Sequence, residues 1–342
     1  MKVRGNVGNS IQQHLIDNYN RQLNYLRVSI TDRCNLRCIY CSPQGMIPKI
    51  SHEDVLRYEE ILRVVIVGAR LGITKVRVTG GEPLVRKGVY KFLEDLNRIE
   101  GLQDISLTTN GVLLKANAQR LWSAGVRRIN VSLDTLERKK YKQITGYDMF
   151  DRVWQGIETA QALGFNPIKL NIVALKGFNE DEFTDFADLT RTYPFHIRFI
   201  EYMPIGRSPL KAEDHILAPE IEARLRALGD LVPLEHKASD GPAQRCKLKG
   251  AQGEIGFIRP ISRHFCKECN RLRLTANGHL RPCLLSDEQF DLRGPLRSGC
   301  HDDEIAALFL KAVQHKHERH HLSLDASGLS DAVADPMSGI GG

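Results

Sequence analysis

The sequence predicts an α/β protein: parallel strands around a shared interior over residues 1–235, then a smaller β-containing domain over 236–342. Three observations lead there. From about residue 25 to 205, short β-rich runs alternate with longer helical stretches, the pattern of strands joined by crossover helices. Within each β-rich run, apolar and polar residues alternate, so every strand has one greasy and one polar face. Beyond about residue 235 the chain changes to short β-like runs rich in turn residues, with a second set of cysteines.

The strand candidates are YLRVSIT (25–31), TKVRVT (74–79), DISLTTN (104–110), RINVSLD (128–134), IKLNIV (168–173) and HIRFIE (196–201). The first sets Leu26, Val28 and Ile30 against Arg27, Ser29 and Thr31, and the second sets Val76 and Val78 against Lys75, Arg77 and Thr79. In the third, Ile105 and Leu107 oppose Ser106, Thr108 and Asn110; in the fourth, Ile129, Val131 and Leu133 oppose Asn130, Ser132 and Asp134. The last two oppose Ile168, Leu170 and Ile172 to Lys169 and Asn171, and Ile197 and Phe199 to His196 and Arg198. The apolar faces must pack on helices, read in HEDVLRYEEILRVVIVGARLG and DEFTDFADLTRTYP. The polar faces then meet in one interior. Closed eight-stranded barrels fill that space with branched aliphatics. Here it receives Arg27, Lys75, Arg77, Lys169 and Arg198, a set that repels itself unless an anion enters. The alternative is that some of these are edge strands with a solvated face. Past 235 one amphipathic helix is expected near 302–314, followed by a polar, loose run to PMSGIGG.

A chain of 342 residues with 42% hydrophobic content can bury a large core. No stretch approaches the roughly 20 apolar residues of a membrane span, and the polar MKVRGNVGNSIQQHL lacks the apolar core of a secretion signal. The expectation is a cytoplasmic protein whose eight cysteines stay reduced and serve metal chemistry. The net charge of +7 points to an anionic partner without separating nucleic acid from a phosphate ester.

Cys34, Cys38 and Cys41 read C-x3-C-x2-C, in a loop directly after the first strand, at the carboxyl end where barrel active sites are built. Thiolates suit iron–sulfur clusters, and a four-iron cubane held by three cysteines keeps one iron open for a ligand. The alternative is zinc completed by a distant fourth cysteine. Cys266, Cys269 and Cys283 read C-x2-C-x13-C, three ligands again. Spacing alone leaves zinc and iron–sulfur equally open there, since Cys246 or Cys300 could supply a fourth thiol.

The first motif, with Tyr40 before its last cysteine, resembles the radical S-adenosylmethionine enzymes, and TGGEP (79–83) resembles that superfamily's methionine-binding segment. In such enzymes the open iron binds S-adenosylmethionine, whose cleavage yields a 5′-deoxyadenosyl radical. FCKECNRLRLTANGHLRPCL closely resembles the C-terminal cluster segment of the GTP 3′,8-cyclases of molybdenum cofactor biosynthesis. RVSITDRCNLRCIYC, KVRVTGGEPL, LTTNG, INVSLDTL, RFIEYMPIG and the terminal IGG extend that resemblance nearly end to end. It implies a partial (β/α)6 TIM-like barrel with two [4Fe-4S] clusters, one for S-adenosylmethionine and one for the guanine of GTP.

By the same resemblance, Arg27, Arg77, Thr108, Lys169, Arg271, Leu272 and Arg273 match GTP-binding positions, with Lys75 and Arg198 sharing the lining and Leu272 offering backbone. Tyr40, Gly81, Ser132 and Met203 match S-adenosylmethionine positions, Gly81 presenting backbone to the amino group. The implied reaction removes the C3′ hydrogen of GTP, joins C3′ to C8 of guanine, and adds one electron and one proton. Gly341 and Gly342 are expected to thread into the active site. An external one-electron donor is implied; a homodimer and hand-over of the product to the next pathway enzyme stay open, and neither nucleic acid nor membrane is expected. HKHERHH (315–321) reads as solvated histidines at a helix end, and Cys246 and Cys300 as ordinary thiols. Two rivals predict otherwise: a peptide-modifying radical enzyme would carry more C-terminal cysteines, and a basic zinc protein would bind polynucleotide in a salt-sensitive way.

Overall fold

The computed structural model describes residues 14–41, 49–206, 210, 214–235, 241–320, 322, 324–325, 328–329 and 333–341. Six parallel strands form its centre: β1 (Tyr25–Ser29), β2 (Lys75–Thr79), β3 (Asp104–Thr109), β4 (Arg128–Ser132), β5 (Ile168–Ala174) and β6 (His196–Glu201). They pair in chain order. Five lie within the runs read from the alternation, one to two residues shorter at some ends, and β5 extends one residue past its run. The apolar faces are buried as expected, with Leu26, Val28, Val76, Val78, Leu107, Ile129, Val131, Leu170, Ile197 and Phe199 inaccessible to water. Each such side chain contributes about 1.5–3 kcal/mol of transfer free energy.

The helices between them carry the complementary apolar stripes. α1 (Tyr58–Arg70) buries Ile61, Val64, Val65 and Val67, and α2 (Val89–Leu96) buries Phe92, Leu93 and Leu96. α3 (Leu114–Ser123), α4 (Arg138–Thr145), α5 (Phe150–Ala162) and α6 (Phe183–Thr192) continue the pattern. The first helical run starts later than its pattern suggests. Residues ahead of Tyr58 are tied across the chain instead, with Leu56 donating its N–H to the Ala276 carbonyl and accepting from Arg86.

The second half builds on both edges of the same sheet. Past α7 (Ala218–Leu225), strands β7 (Leu231–Pro233), β8 (Gln244–Leu248) and β9 (Glu254–Ile258) form an antiparallel set whose last member pairs parallel with β6. β10 (Arg271–Leu274) then pairs parallel with β1 at the opposite edge, followed by β11 (His279–Arg281) and β12 (Phe290–Asp291). The result is one 12-stranded, mostly parallel sheet in the order β12-β11-β10-β1-β2-β3-β4-β5-β6-β9-β8-β7. Helix α8 (Arg293–Arg297) leads into α9 (Asp302–Gln314), where the amphipathic pattern placed it.

The tail is not loose over its described part. α10 (Met337–Ile340) buries Ile340 against Ile205 and Val333, and Gly206 donates its N–H to the Val333 carbonyl at 2.7 Å. None of the described helices is long and apolar enough to cross a membrane.

Candidate active site

The loop leaving β1 carries the first three thiols. The Leu36 N–H and the Asn110 amide both reach Cys34 Sγ, at 3.4 and 3.7 Å, and Cys41 donates its N–H to the Cys38 carbonyl. Burial pushes all three thiols up, Cys38 well above the usual range and Cys41 to about 12. Such thiols stay protonated until a cation displaces the proton, so metal loading there releases acid. The Tyr40 hydroxyl donates to Asp134 at 2.6 Å, and Asp134 also accepts the Val173 N–H at 2.8 Å. Burial lifts that carboxyl to about 6.

Gly81 presses on the same loop. A Cβ there would stand 2.3 Å from the Arg33 carbonyl oxygen, and its N–H bonds the Thr31 carbonyl at 2.6 Å. In the structure it is the chain's own backbone that leaves no room for a side chain. Glu82, inaccessible to water, accepts from Thr109 Oγ1 at 2.8 Å, from Leu84 N–H and from Asn110 N–H at 2.6 Å, fixing the GGEP turn to the end of β3. Burial raises its carboxyl to about 7.

The second three thiols lie at the other end of the sheet's interior. Because β10 runs parallel to β1 with Arg271 opposite Tyr25, Cys266 and Cys269 precede the amino end of that pair, and Cys283 follows β11. The β10–β11 hairpin therefore explains the 13-residue gap: it returns the chain to where it began. The five residues of β1, about 16 Å of strand, separate this end from the loop with Cys34. Cys246 lies in β8 within the main core, and Cys300 sits between α8 and α9, its carbonyl accepting from Arg63. Neither lines the space around the second set. Among the described residues, His264 and His320 stand beside Cys266 with ligand atoms within 4.8 Å, and the two rings hydrogen-bond at 2.8 Å.

Two buried cations organise this end, and sequence reasoning missed both. Lys316, 3% exposed, donates to the carbonyls of Arg271 and Pro282. Burial pushes the Cys269 thiol up, but Lys316 and Arg271 outweigh it and bring it down to about 6. Arg21 pairs with Asp17 at 2.6 Å and donates to the carbonyls of Cys266, His317 and Glu318. Lys316 was hidden in a histidine-rich run read as solvated, and a lone Arg21 carries no pattern. The histidines of that run go separate ways: His315 to the Lys311 carbonyl, His317 toward Glu288, His320 to the Pro260 carbonyl. His321 lies outside the described residues.

Next to the second thiol set opens a cavity lined by Arg27, Lys75, Arg77, Lys169, Arg198, Arg271, Arg273 and Met203, with Cys266, Cys269 and Cys283 at one end; Cys34, Cys38 and Cys41 do not line it. The structure thus brings together every cation read onto the polar strand faces. Lys75 is also ion-paired with Asp104 at 2.9 Å, which Arg128 shares at 2.8 Å. Burial, with Arg198, Arg128, Arg77 and Lys75 nearby, pulls the Lys169 ammonium down to about 5. Thr108 does not line the cavity, but its buried Oγ1 has no hydrogen-bond partner among the described residues. Leu272 points to the opposite face and is fully buried, so it has backbone alone to offer. Ser132 ends β4, half-buried, on the side of the first thiols.

Gly341 reaches into this interior. Its φ is +87°, a Cβ would stand 2.6 Å from Thr79 Cγ2 and 3.0 Å from Ser29 Cβ, and its carbonyl accepts from Arg273. Arg281, inaccessible to water, pairs with Asp335 and donates to the Ser286 carbonyl, anchoring the approach of the tail. Gly342 lies outside the described residues.

The donor set fits iron–sulfur clusters: soft sulfur ligands in threes at opposite ends of the central strands, the second three on a cationic cavity, with the remaining cysteines placed elsewhere. The comparisons agree. Residues 28–190 match the Radical SAM superfamily and 195–322 match Molybdenum Cofactor Synthesis C, a division earlier than the change of character at 235. A GTP 3′,8-cyclase of Moorella thermoacetica is 51% identical over 90% of this chain and 95% of its own length. That of Thermodesulfovibrio yellowstonii is 48% identical over 95% and 99%. Among solved structures, Streptococcus suis SuiB bound to S-adenosylmethionine aligns with a TM-score of 0.60 at 14% identity, covering 80% of this chain and 64% of that one, a likeness of fold. The chain belongs to the GTP 3′,8-cyclase family of radical S-adenosylmethionine proteins.

Proposed function

We propose that this protein cyclises GTP to (8S)-3′,8-cyclo-7,8-dihydroguanosine 5′-triphosphate, the first step of molybdenum cofactor biosynthesis. The observation that carries the reading is the cationic cavity with Cys266, Cys269 and Cys283 at one end, in a sheet whose other end carries the loop of Cys34, Cys38 and Cys41. Cys34, Cys38 and Cys41 would hold a [4Fe-4S] cluster that binds S-adenosylmethionine, and Cys266, Cys269 and Cys283 a second that receives the guanine. With its cofactors bound, the first centre supplies the 5′-deoxyadenosyl radical that takes the C3′ hydrogen, after which C3′ joins C8 and one electron and one proton complete the product.

The chain's own part is binding and placement. Arg27, Arg77, Lys169, Arg271 and Arg273 offer charge-assisted donors to a triphosphate carrying close to four negative charges. Thr108 supplies a hydroxyl, Leu272 backbone, and Lys75 and Arg198 further positive field. Tyr40, Gly81, Ser132 and Met203 shape the S-adenosylmethionine end. Gly341 narrows the space beside the ribose, and the cationic lining holds the triphosphate so that C3′ is kept near the radical source with water excluded. The reading includes an external one-electron donor, a cytoplasmic setting, a radical domain to 235 with a cluster domain after it, and hand-over of a labile product to the next enzyme, as monomer or homodimer.

The test is anaerobic reconstitution followed by incubation with GTP, S-adenosylmethionine and a reductant, with the product identified by mass spectrometry. About eight irons per chain are expected, and loss of turnover in Arg77→Ala with iron retained. Zinc in place of iron, or unchanged turnover in that variant, overturns the reading.

A further inference from the structure

Tyr25 opens β1 and shares its polar face with Arg27, yet its hydroxyl does nothing in the structure. The residue is 3% exposed, lines the cavity, and its oxygen has no hydrogen-bond partner among the described residues. Burying a hydroxyl without a partner costs free energy that phenylalanine at the same place avoids. The register puts Arg271 on one side of it and Lys75 on the other. The Lys75 ammonium stands 5.1 Å from the ring centroid and the Arg77 guanidinium 5.6 Å. The charged groups acting on it are therefore cations, and the acceptor that best completes such a place is an anion.

We infer that the Tyr25 hydroxyl donates a hydrogen bond to a phosphate oxygen of bound GTP, a substrate contact additional to the arginines and lysines. The inference rests on reading the cavity as the GTP site. Burial alone raises the phenol's pKa, but Arg77, Arg27, Lys75 and Arg271 together take it below the ordinary value. A more acidic hydroxyl is a stronger donor to phosphate. The Lys75 ammonium and the Arg77 guanidinium stand near the buried ring, which holds the phenol in place ahead of binding.

The experiment compares anaerobically reconstituted wild type, Tyr25→Phe and Arg77→Ala by calorimetric binding of GTP, inorganic tripolyphosphate and guanosine. Tyr25→Phe is expected to bind GTP and tripolyphosphate about tenfold more weakly, with guanosine affinity and iron content unchanged. Unchanged GTP affinity, or a loss confined to guanosine, overturns the contact. If Arg77→Ala weakens binding while Tyr25→Phe does not, the inference falls alone; if neither weakens it, the cavity reading falls too. Should Tyr25→Phe load less iron, affinities are taken per loaded site beside Tyr25→His, which keeps a ring donor. Weaker tripolyphosphate binding in the phenylalanine variant alone then supports the contact, and equal binding in both overturns it.

Discussion

Binding of GTP should draw a proton onto Lys169. Burial among Arg198, Arg128, Arg77 and Lys75 holds the ammonium at about 5 in the ligand-free protein, far below its ordinary 10.5. At pH 8 about one molecule in a thousand carries that proton. A triphosphate beside the side chain reverses the balance and returns it near its ordinary value, so essentially every complex is protonated. The sign follows: the complex binds more protons than the free protein, so affinity falls as pH rises, by about tenfold per unit between about 7 and 9. Working at pH 8 keeps the terminal phosphate of GTP fully ionised, since its own last pKa lies near 6. Titration calorimetry in buffers of unlike ionisation heat should give uptake of about one proton per GTP in wild type and close to none in Lys169→Met. Uptake below about 0.2 proton in wild type, or the same uptake in both proteins, refutes the reasoning.

Gly81→Ala should halve the iron from about eight to about four, because its Cβ would meet the Arg33 carbonyl at 2.3 Å and displace the first cysteine loop; iron analysis decides. Truncation after Ile340 should sharply reduce product while iron stays full, and Gly341→Ala should do the same through its contact with Thr79; unchanged turnover retires the role of the tail. Arg21→Met leaves Asp17 buried without its partner, at a cost of about 3–5 kcal/mol, and should lower the unfolding midpoint together with iron retention at the second site. Lys316→Met removes the buried cation beside Cys269 and should shift the second cluster's reduction potential to more negative values, followed by spectroelectrochemistry; an unmoved potential denies that influence.

Much of the site was legible because its information is local. The alternation of Arg27 with Leu26 and Val28, or of Arg77 with Val76 and Val78, determines strand phase, and phase determines which side chains meet inside. The thiol spacings were equally plain. What the sequence hides is choice of partner across long separations. Nothing in RLRL marks it as the neighbour of YLRVS, yet that pairing delivers Arg271 and Arg273 to the lumen and seats Cys266 and Cys269 at its amino end. Lys316 looks solvated in HKHERHH because charge runs generally are; its burial depends on carbonyls of Arg271 and Pro282 far back in the chain. The start of α1 was misjudged for a related reason, since Leu56 is claimed by Ala276 and Arg86 instead of by a helical turn.

The flanking of the six central strands by later ones has a consequence for biogenesis. Until the ribosome has released β9, the outer edge of β6 is bare, and β1 waits longer still for β10. For most of its synthesis the nascent polypeptide presents two unpaired borders, each able to recruit a stray strand. The thiols of the second site flank the closing hairpin, Cys266 and Cys269 just ahead of β10 and Cys283 just after β11, so that site cannot be complete before residue 283 has been made. Maturation is thereby timed to the end of translation.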